Sequence, residues 1–151
     1  MRSAIHQLKY RNLRAIAGTL AGFLSDCYLS GPVTADVLVP VPLHSGRLKE
    51  RGYNQSELLA RELSRRIDLP LIGNCLVRTR PAYPQARTTN AKQRWDNVVD
   101  AFSCPYRVLT GKRVLLIDDV TTSGATLDAC AAAVKAAGAA SVWGLVLARE
   151  T

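Results

Sequence analysis

Four apolar residues, Val114-Leu-Leu-Ile117, run directly into two carboxylates, Asp118 and Asp119. Thr121, Thr122, Ser123, Gly124 and Thr126 follow, then an alanine-rich stretch closed by Gly138. The apolar run, with Arg113 before it, reads as a buried strand. Residues 118–123 read as a loop, and 124–137 as a helix with Gly138 just past its end. Ser141–Leu147 is a further buried strand. Strand, loop, helix and strand in so short a span imply parallel strands joined by a right-handed crossover. No other part of the chain limits the fold as much.

The remaining segments agree with that frame. Residues 4–29 read as helical with a break near Asn12, and Gly31-Pro32 ends the region. Ile5, Leu8, Ile16, Leu20, Phe23 and Leu24 share one helical face. Arg11 and Arg14 before Ala15–Leu24 resemble the start of a secretion signal, but Asp26 and the lack of a small-residue cleavage site favour an amphipathic helix. Asp36–Val41 reads as a buried strand, and residues 42–53 as a polar, basic loop. Residues 54–67 form a second amphipathic helix, with Leu58, Leu59, Leu63 and Ile67 inward, Asn54 as N-cap and Pro70 beyond the end. Leu76–Arg78 and Ala101–Ser103 read as short strands. Between them, residues 79–97 make a long basic loop with a short helix at its end. A loop of that length in a compact domain is functional or mobile. The fold class is α/β, with a doubly wound, mainly parallel sheet flanked by helices.

The 151 residues are expected to form one domain, 1–151. No uncharged stretch is long enough to span a membrane, so no membrane insertion is expected. Cys27, Cys75, Cys104 and Cys130 form no CxxC pair, which argues against zinc. Four reduced thiols in a cytoplasmic protein is the expectation. The net charge is +8, and the whole excess lies before Val108. Such an excess suits a polyphosphate ligand or nucleic acid, and equally a merely basic surface.

The acid pair stands at the carboxyl end of a buried strand, where open α/β sheets bind ligands. The turn after it offers hydroxyls, backbone N–H groups and a helix N-terminus, which together cradle phosphate. Acids beside a phosphate cradle make sense when a sugar lies between them. Carboxylates accept hydrogen bonds from ribose hydroxyls while the turn holds a 5′-phosphate. Two other readings stay open: a receiver-like acidic Mg²⁺ pocket, and a turn with only a structural role. The receiver reading lacks its later Asp and Lys. No Gly-x-Gly-x-x-Gly and no Walker loop are present.

The segment Val114–Thr126 resembles the PRPP (5-phosphoribosyl diphosphate) motif of the type I phosphoribosyltransferases, apart from Thr121 at a usually apolar place. Val39-Pro-Val-Pro-Leu43, Arg47, Arg51-Gly-Tyr-Asn-Gln55, Arg78, Gln85, Arg94, Asn97, Ala101-Phe102 and Leu8-Lys-Tyr10 extend the resemblance to the ComF (GntX-like) family. That resemblance implies a type I phosphoribosyltransferase fold in which residues 1–30 form part of a small hood. It implies that Asp118 and Asp119 hold the ribose hydroxyls. It implies that Thr122, Ser123, Gly124, Ala125 and Thr126 wrap the 5′-phosphate. Arg47, Lys49 and Arg51 are candidates for the diphosphate loop, and Arg87, Lys92 and Arg94 for a mobile active-site loop. The implied cofactor is Mg²⁺, brought by the substrate.

The chain departs from the family in two places. Many members carry a four-cysteine zinc ribbon before the Lys-Tyr helix, and this chain starts after that point. Paired CxxC motifs are therefore expected in the DNA upstream. The purine-salvage enzymes of the superfamily place an acid where Thr122 stands, so general-base catalysis from this loop is not expected and no catalytic residue is assigned. Two functions follow: a phosphoribosyltransferase with a nitrogen acceptor, or a PRPP- or nucleotide-binding protein acting in competence and DNA uptake. Partners of the second would include single-stranded DNA or competence proteins. Each cationic candidate is equally readable as a solvated side chain. His44, Gln85, Tyr53 and Trp95 likewise suit capping or core packing.

Overall fold

The structure, a computed structural model, describes residues 1–10, 15–79 and 101–150, without the side chains of 7–10. In chain order the elements are α1 (Arg2–Tyr10), α2 (Ala15–Ser30), β1 (Val37–Pro40), α3 (Ser45–Arg51), α4 (Gln55–Ile67), β2 (Val77–Arg78), β3 (Phe102–Ser103), β4 (Arg113–Thr121), α5 (Ala125–Ala136) and β5 (Ser141–Arg149).

Strands β1, β4 and β5 form a parallel sheet with β4 at its centre. Leu71 adds a single bridge to Leu38 on the far side of β1. The alternation of side chains along a strand sorts the core into two layers. Leu38, Leu115 and Ile117 face Ala17, Leu20, Ala21 and Leu24 of α2 and Leu59, Ala60 and Leu63 of α4. Val37, Val39, Val114 and Leu116 face Ala129, Cys130 and Val134 of α5. Helices thus cover both faces, as a buried parallel sheet requires. Strands β2 and β3 pair antiparallel in a separate ribbon, whose Leu76, Ala101 and Phe102 join the α5 layer.

Several elements differ from the sequence reading. Strand β4 runs on through the acid pair to Thr121, where a loop from Asp118 was expected; it stays extended because β5 pairs with it as far as Thr121↔Arg149. The basic loop over 42–53 contains the helix α3. It has one apolar residue, Leu48, which is exposed, so its ends hold it: His44 Nδ1 accepts from Gly46 N–H at 3.2 Å, and Gly52 closes it at φ 80°. Helix α2, from the segment read as hood, lies in the layer over the sheet beside α4. Phe23, placed on its inner face, is exposed, and Tyr53 is in the core. Asp36 precedes β1 and pairs with Arg113 across the strand starts at 2.8 Å.

Helix α4 starts as read. Asn54 Oδ1 accepts from Ser56 N–H at 3.0 Å, and Asn54 Nδ2 donates to Val41 O at 3.0 Å. One side chain thus caps the helix and ties it to the end of β1. No helix among the described residues is long and apolar enough to cross a membrane.

Leu63 is fully buried between α2 and the sheet. Leu63→Ala is expected to cost about 2–5 kcal/mol through lost burial and a residual cavity. Asn54→Ala is expected to cost about 0.5–2 kcal/mol. Urea unfolding followed by far-UV circular dichroism measures both.

Candidate functional site

The sheet ends unevenly where the acids lie. Strand β1 stops at Pro40, opposite Ile117, while β4 continues. Beyond that level β4 has β5 on one side only, among the described residues. Asp118 and Asp119 are the first two residues past the step. Consecutive strand residues point to opposite sides, so the carboxylates flank the strand rather than lie side by side.

Both acids are deeply placed, with Asp118 9% and Asp119 3% exposed. Asp118 Oδ1 accepts from Ser56 Oγ–H at 2.7 Å and from Asp119 N–H at 2.9 Å. Asp119 Oδ1 accepts from Val120 N–H at 2.8 Å. Burial, and then the charge of Asp119, push the Asp118 carboxyl up to about 7, against the Ser56 bond that favours its ionised form. Such a group ionises readily once a donor or cation arrives.

Ser56 was not legible as a site residue. It is 1% exposed on the first turn of α4, and it is oriented by Asn54, which is itself anchored to Val41. A chain of hydrogen bonds therefore runs from the end of β1 through Asn54 and Ser56 to Asp118. Nothing in the sequence signals a contact across 62 positions.

The turn after β4 brings Thr122, Ser123 and Gly124 to the start of α5, with Ala125 and Thr126 in its first turn. Ser123 Oγ accepts from Ala125 N–H at 3.3 Å. Gly124 caps the helix at φ 85° and provides no side-chain bond. An added Cβ there would meet nothing within 4 Å, so the left-handed backbone, not space, selects glycine. Amides of a first helical turn have no intrahelical acceptor and suit an anion. Asp128, also in that first turn, is exposed.

The structure separates the diphosphate-loop candidates. Arg47 and Arg51, four residues apart on α3, share a helical face, and Lys49 lies on the other side. Arg47 is exposed; Arg51 is half-buried and donates to Gln55 Oε1 at the start of α4. Arg87, Lys92 and Arg94, with Gln85, Trp95 and Asn97, lie outside the described residues. Arg78 on β2 is half-buried, over the Phe102 ring at 5.1 Å, and feels the charges of Asp118 and Arg47. His44 is engaged as the α3 cap.

Other chemistries find less support. Among the described residues no three His, Cys, Asp or Glu side chains group as a metal site. Burial pushes the Cys75 thiol up to about 11 and raises Cys130 as well, which makes both poor nucleophiles. A groove of about 370 Å³ between α5 and β5 includes Thr121, Ser123 and Gly124 in its lining but neither carboxylate. Asp128 and Arg149 line it as well, beside the apolar Leu127 and Val142.

Comparison with known proteins agrees with the fold and the motif. The model of the phosphoribosyl transferase domain matches residues 52–150. "Competence protein F" of Haemophilus influenzae is 36% identical over 93% of the chain and 65% of its own length. "DNA utilization protein YhgH" of Escherichia coli K12 is 34% identical over 91% of the chain and 62% of its own length. "Competence protein ComFC" of Bacillus subtilis is 31% identical over 99% and 60%. The chain thus spans less than two thirds of each of these relatives, two of which carry the competence names of the ComF resemblance. Among solved structures, glutamine PRPP amidotransferase from B. subtilis aligns with TM-score 0.58 and 22% identity, over 87% of the chain and 26% of the enzyme. Purine phosphoribosyltransferase from Pyrococcus horikoshii aligns with TM-score 0.53 and 22% identity, over 88% and 72%. With a parallel sheet wound by helices on both faces, an acid pair at the end of its central strand and a match to the domain over residues 52–150, the chain belongs to the phosphoribosyl transferase domain family and has the type I fold.

Proposed function

We propose that the chain binds PRPP with Mg²⁺ and transfers its phosphoribosyl group to a nitrogen acceptor. The observation that carries this reading is the step in the sheet: two buried carboxylates beside an open strand edge, followed at once by the glycine turn that starts α5. In this reading Asp118 and Asp119 accept hydrogen bonds from the ribose hydroxyls. Thr122, Ser123, Gly124, Ala125 and Thr126 surround the 5′-phosphate with hydroxyls and amides. Arg47 and Arg51, on one face of α3, serve the diphosphate; Lys49 does not share that face.

The donor set fits a metal held mainly by the substrate. Mg²⁺ keeps several waters and binds through one or two carboxylates with substrate phosphates, and the described residues offer no cluster that would hold it alone. When bound, it supplies charge neutralisation on the phosphates. The transfer forms an N–C1′ bond from the acceptor's lone pair and breaks the bond from C1′ to diphosphate oxygen, which takes the electron pair. The acceptor nitrogen then gives a proton to solvent. The positive charge that develops on the ribose is compensated by nearby carboxylates, and charge on the leaving group by the arginines. Thr122 offers no base in this loop.

A second reading keeps the same pocket without turnover. Two relatives are named for competence and one for DNA utilisation, and the charge excess of +8 lies in the first 107 residues. In that reading PRPP or a nucleotide regulates an interaction with DNA or competence proteins. Diphosphate release from PRPP across a panel of nucleobases and amines separates the two. Salt-sensitive binding of single-stranded DNA without turnover favours the second.

Isothermal titration with PRPP and Mg²⁺ tests the shared pocket. Wild type is expected to bind, and Asp118→Asn/Asp119→Asn to lose at least about tenfold in affinity, since each charge-assisted hydrogen bond is worth roughly 1.5–3 kcal/mol. Equal binding by both would overturn the reading.

A site held ready for a ligand costs stability when empty. Unfolded, Asp118 loses its proton near pH ~4; folded, near about 7. Its contribution is intact below the first value and lost as pH climbs through the second. Asp118→Asn is therefore expected to raise the melting temperature at pH 8 relative to wild type, and to give a smaller difference at pH 5. Scanning calorimetry at both values reads this, and an equal difference at both would contradict it.

A further inference from the structure

Strand β5 is an edge that the fold leaves uncovered. A parallel sheet is normally buried on both faces. All four residues of β1 are buried, but none of the nine residues of β5 is. Trp143 is 55% exposed. The opposite edge of the sheet is better closed: Leu38 N–H donates to Pro70 O at 2.9 Å, and Leu38 O accepts from Ile72 N–H at 3.0 Å.

The backbone of β5 tells which groups lie open. At its two ends Ala140 N–H donates to Lys112 O at 2.9 Å and Glu150 N–H donates to Thr121 O at 2.8 Å. The N–H and C=O of one residue point the same way, and the direction alternates along a strand. Even-numbered residues therefore bond β4, while Ser141, Trp143, Leu145, Leu147 and Arg149 turn their amides and carbonyls outward. Among the described residues no strand pairs with them. Proteins blunt such an edge by keeping it short, or with charge, proline or a bulge. Strand β5 uses none of these. It is nine residues long, free of proline, and uncharged from Ser141 to Ala148. A single register runs from Arg113↔Ser141 to Thr121↔Arg149, so no bulge turns the edge aside.

We propose that two copies of the chain pair antiparallel through β5, about a two-fold axis at Leu145. The inference is independent of the PRPP reading. Charge selects a second copy as the occupant. The chain carries +8 overall, so two copies meet with least repulsion where cations are missing, and Ser141–Ala148 has none. Nucleic acid or an acidic protein finds nothing there to hold. With the axis at Leu145 all nine residues overlap. Trp143 then faces the partner's Leu147, Val142 the partner's Ala148 and Ser141 the partner's Arg149, so no like charges are opposed. The strand is about 30 Å long, and the helical layers make the face about 20 Å deep. Each copy would cover on the order of 600 Å², somewhat below the ~800 Å² per partner of a standard interface. A reversible dimer is expected, not a permanent one.

Sedimentation equilibrium from nanomolar to hundred-micromolar protein reads the dimer directly. Wild type is expected to reach twice the mass of one chain in the micromolar range. Trp143→Lys is expected to weaken the dimer at least about tenfold. Two substitutions of Ser141 test the register by sign. Ser141→Lys opposes the partner's Arg149 and weakens the dimer, whereas Ser141→Glu pairs with it and tightens the dimer. Each shift is expected to be about twofold to thirtyfold, since the cross-strand contact occurs twice by symmetry. Wild type that stays monomeric throughout overturns the proposal and leaves the edge to a different chain. A dimer indifferent to Trp143→Lys, or one that both Ser141 variants shift the same way, is held through another face and overturns it too. Should Trp143→Lys melt early, the opposite signs at Ser141, the first residue of the strand, decide.

Discussion

A carboxylate sealed at the end of a buried strand must be solvated by the protein itself. Asp118 is so placed, and the hydrogen bond it receives from Ser56 is the interaction on which the site's geometry turns. Ser56 can make that bond only because α4 begins at the right height, and Asn54 sets that height by bonding both the helix amide and Val41. The end of β1, the start of α4 and the end of β4 are thus fixed to one another. Without that tie, a burial penalty on the acid would be met by protonation or by local opening. With it, a carboxyl that gives up its proton near neutrality stands beside a helix N-terminus.

The same uneven sheet explains why a sugar phosphate suits the place. The parallel arrangement directs the carboxyl ends of β1, β4 and β5 one way, and β1 stops short. Past that point, among the described residues, β4 is paired on one side only, where its polar residues begin. Acids on the strand and amides on the helix that follows are separated by only a few residues of chain. Cations are carried by elements outside the sheet, Arg47 and Arg51 on α3 and Arg78 on β2.

How much of this could be read from the sequence varies by element and for physical reasons. The β4–α5 unit was legible because four apolar residues, a glycine turn and an alanine-rich run each favour the same local structure. The acids and the turn were legible for the same reason. The extension of β4 through Thr121 was not, since its polar end is held extended by pairing with β5 rather than by its own pattern. Helix α3 was missed because Ser45–Arg51 has no apolar periodicity and depends on His44 and Gly52 at its ends. Ser56 was invisible as a partner of Asp118, since it meets the acid only through tertiary packing. The phosphoribosyltransferase relationship came through resemblance of motifs, and the comparisons with known proteins agree with it.

The central claim is that one sugar phosphate spans the acid pair and the start of α5. A crystal structure of the protein grown with ribose 5-phosphate and MgCl₂ tests it most directly. The account predicts phosphate density against the amides and hydroxyls of residues 122–126, with ribose hydroxyls within hydrogen-bond reach of Asp118 and Asp119. Phosphate bound at another part of the surface, with that turn vacant and both carboxylates unaltered, would contradict it.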